Sequence, residues 1–143
     1  MHAPPHSTTL LHRVAFFETD AMGIVHHSNY VRYFELVRVL WMDEHDRPYR
    51  EYVAEGLHFA TTRVEVEYQR AARFDDVLTL CCWLEELRGA SLRIGYELRR
   101  DGESIASGAT EHAMVDDEGR PRRIPRERRR ILATRLPETP RSD

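Results

Sequence analysis

The sequence predicts an α+β domain in which one antiparallel sheet wraps around a single long helix. Three observations carry that reading. Residues 28–44 have helical spacing and are apolar around nearly the whole circumference, apart from a narrow stripe of Arg32, Glu35 and Arg38. Four later stretches alternate with the period of two that strands require. The turns between those strands are short, as antiparallel neighbours allow.

Residues 11–18 alternate partially, with aromatic and branched side chains, and read as the first strand. A glycine-containing turn follows over 19–25. The helix over 28–44 has Ser28 and Asn29 as candidate caps. A helix lying on one sheet needs only one apolar face, so this one is expected to be enclosed on nearly all sides.

After a polar connection with Pro48 the chain turns strand-like. Residues 58–69 set Phe59, Thr61, Arg63, Glu65 and Glu67 against Ala60, Thr62, Val64, Val66 and Tyr68, a strand with one wet face. Residues 77–86 and 91–100 flank an Arg88-Gly89-Ala90 turn. Asp101-Gly102 then leads into a fourth long strand over 104–115. A charged segment over 120–130 ends in a short helix beginning near Pro125. The single domain is expected over 8–136, with flexible tails at 1–7 and 137–143.

All 21 cationic residues of the 143 are arginine, because the chain has no lysine. That excludes a Schiff-base lysine, a lysine-held pyridoxal cofactor and the lysine of a Walker loop. A formal net charge of -3 argues against a general nucleic-acid binder. Cys81 and Cys82 are adjacent, so they supply no ordinary disulfide with each other; on a strand they face opposite sides, one toward the helix. With no secretory pattern and no apolar run of the roughly 20 residues that cross a bilayer, the expected location is the cytoplasm, without stable membrane insertion.

The most informative segment runs from Glu18 through Asp20, Gly23, His26 and His27 to Tyr30. It places a carboxylate, a flexible glycine and a helix start within thirteen residues. A helix start offers unpaired N–H groups and a positive dipole end, which stabilise a developing oxyanion, so the arrangement suits acyl transfer. Asp20 taken alone is an ordinary turn aspartate. His27 is one of several histidines, but no zinc-site spacing accompanies it. Glu35 reads either as a second acid or base, or as part of a charge ladder with Arg32 and Arg38. Tyr30 and Trp41 read as core or interface aromatics.

The segment resembles the signature of the hotdog-fold acyl-CoA thioesterases of the 4-hydroxybenzoyl-CoA thioesterase family, especially their Tol–Pal-associated branch. Thr19-Asp20, Gly23, Ile24-Val25, His27, Asn29-Tyr30, Glu35 and Arg38 fall in register with it. Residues 65–78, EVEYQRAARFDDVL, and residues 119–125 resemble two further family segments. Two positions depart: His26 stands where the family has Tyr or Phe, and Ala72 where Pro is common.

The resemblance implies an antiparallel hotdog fold and hydrolysis of an acyl-CoA thioester, with Asp20 as nucleophile or general base. It implies that the His27 backbone amide is the oxyanion donor and that Gly23 lets the backbone approach the acyl group. Ile24, Val25, His26 and Tyr30 would contact substrate. Arg73, Arg88 and the arginines over 120–130 would compete for the coenzyme's phosphates. No cofactor and no metal are implied, and a homodimer or homotetramer is. Two other readings stand beside this one: a non-catalytic acyl-CoA-binding module, and an interaction protein that uses Arg128, Arg129 and Arg130 on anionic partners or membranes.

Overall fold

The computed structural model describes residues 3–137; residues 1–2 and 138–143, parts of the expected tails, lie outside the described residues. Five strands form one sheet: β1 (Thr8–Arg13), β2 (Leu57–Tyr68), β3 (Val77–Leu87), β4 (Ser91–Arg100) and β5 (Glu103–Asp116). Their spatial order is β1-β3-β4-β5-β2, and every neighbouring pair is antiparallel. The helices are α1 (Asn29–His45), α2 (Tyr49–Ala54) and α3 (Arg126–Ala133). The predicted α+β class and the strands over 58–115 are borne out.

The first strand ends earlier than its alternation suggested. Glu18 bends back so that its carboxylate accepts the Ala15 N–H at 2.7 Å, and Phe16–Glu18 form a single 3-10 turn. This turn carries its two phenylalanines outward, so their aromatic character marked no strand. The helix α2 was not anticipated, because six residues show too little periodicity. Its Tyr52 is buried, donates to the Asp46 carboxylate and lies under the Arg47 guanidinium.

The helix α1 packs on the sheet through Tyr33, Phe34, Val37 and Trp41, all fully buried. The Phe34 ring stacks on Tyr96 of β4 with centroids 4.1 Å apart. Gly108 of β5 makes room for this contact, since a Cβ there would overlap the Glu65 carbonyl and lie 2.9 Å from the Phe34 ring. Trp41 donates its indole N–H to the His6 carbonyl at 2.8 Å. The expectation of enclosure on nearly all sides is corrected: Val31, Leu36 and Val39 are 38%, 46% and 45% exposed. One five-stranded sheet covers only one side of a helix.

A bulge also corrects the simple alternation along β2. Thr61 pairs with His112 and Arg63 with Glu111, so Thr62 is the extra residue and the face parity inverts there. Phe59 and Thr61 face inward before it, Val64, Val66 and Tyr68 after it. Arg63, Glu65, Glu85, Arg93 and Glu111 form an ion cluster on the outer face, with Arg93 2.8 Å from Glu85 and 3.1 Å from Glu65. Cys82 faces α1 and donates its thiol to the Val37 carbonyl; Cys81 lies on the opposite face. Burial pushes the thiols of both up. Within the arginine-rich segment, Arg128 lies 3.3 Å from Asp46 and Arg129 donates to the Ile124 carbonyl. Arg128 thus ties α3 to the end of α1, while Arg129 closes back on the residue just before its own helix.

Candidate active site

The loop joining β1 to α1 carries the acidic motif, and a buried glutamate organises it. Glu18 is 7% exposed. Its carboxylate accepts the Ala15 N–H and lies 3.0 Å from His12 Nε2. Burial pushes the Glu18 carboxyl up, but the Ala15 and His12 hydrogen bonds outweigh it and leave the carboxyl below its usual range. Through its main chain the same residue ties down the far side of the loop. The Glu18 carbonyl accepts the His26 N–H at 2.8 Å and the Asn29 side-chain amide at 2.7 Å.

Between these anchors the chain makes a tight turn around Asp20. The Asp20 N–H donates to the Ile24 carbonyl at 2.8 Å, and the Asp20 carbonyl accepts the Gly23 N–H at 2.9 Å. Gly23 has a φ of +79°, which a side chain rarely tolerates. Asp20 Oδ1 accepts the Met22 N–H at 2.8 Å, a local side-chain turn that orients the carboxylate. Its Oδ2 has no donor among the described residues. Val25 donates to the Ala72 carbonyl at 2.8 Å, and Ile24 bridges to Arg73, so the turn is docked on the segment that follows β2. Ala72 thus serves this loop through its backbone.

The turn opens on a cleft of about 410 Å³. Asp20, Ile24, Val25, His27 and Tyr30 meet there, as the motif suggested. Tyr68 and residues 69–71 close the other wall. Tyr30 is 3% exposed, and its ring meets Tyr68 edge-on at 5.1 Å. Burial raises the Tyr30 phenol above its usual range. The Tyr68 hydroxyl donates to the His27 carbonyl at 3.2 Å, while the His27 N–H has no acceptor among the described residues.

The helix start differs from the expected capping. Neither Ser28 nor Asn29 caps α1: the Ser28 hydroxyl pairs with His26 Nδ1 at 2.8 Å, and the Asn29 amide is committed to Glu18. The first-turn N–H groups therefore lack a side-chain cap. His26 stacks on His27 with centroids 4.2 Å apart and is not part of the cleft wall. Arg73 lies beside Gly23, its guanidinium 3.9 Å from where a Cβ would stand. Arg88 sits at the opposite end of β3, roughly 33 Å of strand away, near Glu86. Within one chain the structure does not bring Arg73 and Arg88 together.

Sequence reasoning gave Glu18 no role and overlooked Met22 and residues 69–71. The signal for Glu18 was its place directly before Thr19-Asp20. Residues 69–71 lie within the 65–78 segment whose resemblance to the family was their signal, although a polar stretch after a strand otherwise reads as a turn.

A relative from Aquifex aeolicus described as a putative esterase is 37% identical over 120 residues, covering 84% of this chain and 93% of that protein. The acyl-CoA thioester hydrolase YbgC of Escherichia coli is 35% identical over 80 residues, covering 56% of this chain and 60% of YbgC. The crystal structure of a hypothetical protein from Thermus thermophilus superposes with a TM-score of 0.87 at 31% identity, covering 92% of this chain and 99% of that one. The fold is the hotdog arrangement of thioesterases. The family match runs over residues 14–140, through the Asp20 loop, α1 and all of β2 to β5, and the chain belongs to the thioesterase-like superfamily.

Proposed function

We propose that the protein hydrolyses acyl-CoA thioesters to a free carboxylic acid and coenzyme A. The observation that carries this reading is the presence, in one cleft, of a carboxylate with a free oxygen and an unpaired N–H just before α1. The thioester oxygen docks on the His27 N–H, where the helix dipole stabilises the negative charge that develops there. Asp20 Oδ2 then either attacks the carbonyl carbon, forming an acyl-enzyme anhydride that water opens, or takes a proton from the water that attacks. In both routes the carbon–sulfur bond breaks, and the coenzyme leaves as a thiolate that takes up a proton.

Ile24, Val25, Met22 and Tyr30 supply the apolar wall against which the acyl group lies, and Gly23 lets the backbone turn close to it. His26 acts from behind His27. Arg73, at the cleft's rim, is the arginine best placed for the coenzyme's phosphates; Arg88 serves only a cleft of another subunit. The finer placement, in the Tol–Pal-associated branch of the 4-hydroxybenzoyl-CoA thioesterase family, is supported by the motif over 18–30 and the likeness to YbgC.

The protein works as a homodimer or homotetramer in the cytoplasm. Support comes from the free sides of the edge strands β1 and β2 and from exposed Val31, Leu36 and Val39 on α1. No helix among the described residues is long and apolar enough to cross a membrane. The deciding experiment is Asp20→Asn assayed with short-chain, long-chain and aromatic acyl-CoA, reading free thiol. Turnover falls at least about a hundredfold with the circular dichroism spectrum unchanged. Wild-type turnover by that variant sinks the assignment, and tight binding of CoA esters without any turnover by the wild type assigns a binding module instead.

A further inference from the structure

Asp20 and His27 are carried by one small hairpin. Its arms are residues 18–20 and 24–26: the His26 N–H donates to the Glu18 carbonyl at 2.8 Å, the Asp20 N–H donates to the Ile24 carbonyl at 2.8 Å, and Thr19 pairs with Val25 between them. Asp20 ends the first arm and His27 follows the second, so this ladder sets the spacing between the carboxylate and the unpaired N–H. The tilt of the hairpin toward Tyr30 and Tyr68 is a separate matter, decided where it is fastened to the domain. Side chains from two strands take part in that fastening. Tyr68 of β2 donates to the His27 carbonyl at 3.2 Å. His12 of β1 holds the root, with Nε2 3.0 Å from Glu18 Oε1.

The donor in that contact is the histidine. The Glu18 carboxyl lies below its usual range and is ionised at neutral pH. A carboxylate has no proton to give, so Nε2 carries one whether the imidazole is neutral or charged. The same oxygen also accepts the Ala15 N–H at 2.7 Å, but Ala15 belongs to the loop that has to be held. His12 comes from the sheet, where it stands opposite Leu78 in the ladder between β1 and β3. Its ring packs on Tyr33 of α1 with centroids 4.6 Å apart. The Tyr33 hydroxyl is buried and has no hydrogen-bond partner among the described residues, so Tyr33 gives His12 packing and no proton.

The geometry points to His12 as a positioning residue for the thioester chemistry: its Nε2–H grips the Glu18 carboxylate and, through Glu18, fixes the tilt of the hairpin that carries Asp20 and the His27 N–H. The inference rests on the reading of Asp20 as the reacting carboxylate. His12 lines no part of the Asp20 cleft, so its loss reaches the chemistry through Glu18 and not through a substrate contact. Orientation of the reacting groups counts most in the transition state, where a misplacement of about 1 Å costs up to roughly a hundredfold in rate. The effect therefore belongs to kcat rather than to KM. Because a neutral N–H donor serves, an amide at the same point does the same work.

Two substitutions separate the bond from the packing. His12→Phe keeps a ring against Tyr33 and loses the donor, whereas His12→Gln loses the ring and places an amide N–H within reach of Glu18. The full chain carrying each is assayed with acetyl-, palmitoyl- and benzoyl-CoA, and isotope-labelled samples report the backbone amide resonances of Gly23 and His27. His12→Phe should lower kcat about tenfold, leave KM within about twofold and shift both resonances. His12→Gln should keep kcat within about threefold of the wild type and return both resonances toward their wild-type positions. If His12→Phe does not fold, His12→Asn, whose amide stops short of the carboxylate, takes its place. Unchanged kcat in the variant without the donor, a rise in KM that accounts for its loss, or failure of His12→Gln to restore kcat overturns the proposal. A wild type that turns over none of the three esters sinks the thioesterase reading alone. Movement of the Gly23 and His27 resonances in His12→Phe and their return in His12→Gln then still decide whether His12 holds the hairpin, and unmoved resonances overturn it.

Discussion

The side-chain amide of Asn29 donates to the backbone carbonyl of Glu18 at 2.7 Å, a sequence separation of eleven that encloses Asp20. The bond pins the first residue of α1 to the residue from which the Asp20 turn departs. It also explains why Asn29 does not cap its own helix. The loop around Asp20 is thus closed by one buried side chain rather than by strand pairing alone.

Replacing that amide tests the closure. Asn29→Ala leaves the Glu18 carbonyl with only the His26 N–H and should lower stability by about 1–3 kcal/mol. Turnover should fall further than stability alone accounts for, by roughly tenfold, because Asp20 loses its fixed position relative to the helix start. Urea unfolding and thioester turnover measured on the same preparation separate the two. A stable variant with unchanged kcat would show that the turn is held by its backbone bonds alone.

Glu18 makes the loop sensitive to acid. Its carboxyl sits below the usual range in the folded chain, so its contribution is present above the unfolded carboxylate pKa and is lost as pH falls through the lowered folded value. Glu18→Gln should be less stable than the wild type at pH 7, and the difference should narrow below about pH 4. Parallel denaturant titrations at pH 7 and pH 3.5 check this; a pH-independent difference contradicts it.

His112 acts in the next pH window up. Burial, and then the Arg38 charge, hold its imidazole down to about 3 in the folded chain, whereas an unfolded histidine titrates near 6.5. Between those values the unfolded chain binds more protons, so stability declines as pH falls, by about 2 kcal/mol from pH 6.5 to 5. Burial lowers His45 as well, and it contributes with the same sign. His112→Gln should remove the larger part of that slope, read as the change in urea midpoint between pH 7 and pH 5. An unaltered slope would place the titration elsewhere.

Gly108 controls how closely α1 lies on the sheet. Gly108→Ala sets a methyl against the Phe34 ring and the Glu65 carbonyl, and one of them must move. The expected cost is about 2 kcal/mol, or a fall in Tm of roughly 4–8 °C for a chain of this size. Differential scanning calorimetry reads it directly. A Tm within a degree of the wild type would mean that β2 and β5 separate at no cost.

By itself the sequence determined the α+β class, the strands over 58–115, the long helix and the Asp20 motif. Period-two alternation and the dense local pattern of residues 18–30 are written in near neighbours, so no tertiary contact is needed to read them. What only the tertiary structure decided depends on residues far apart along the chain. The bulge at Thr62 is visible only in the register with β5, and it alone settles which side of β2 faces inward. The burial of Glu18 depends on His12 and Ala15 folding back over it, and the second wall of the cleft on β2 ending beside Tyr30. The exposed side of α1 shows the same limit: its apolar residues announce burial, but one sheet can cover only one face of a cylinder.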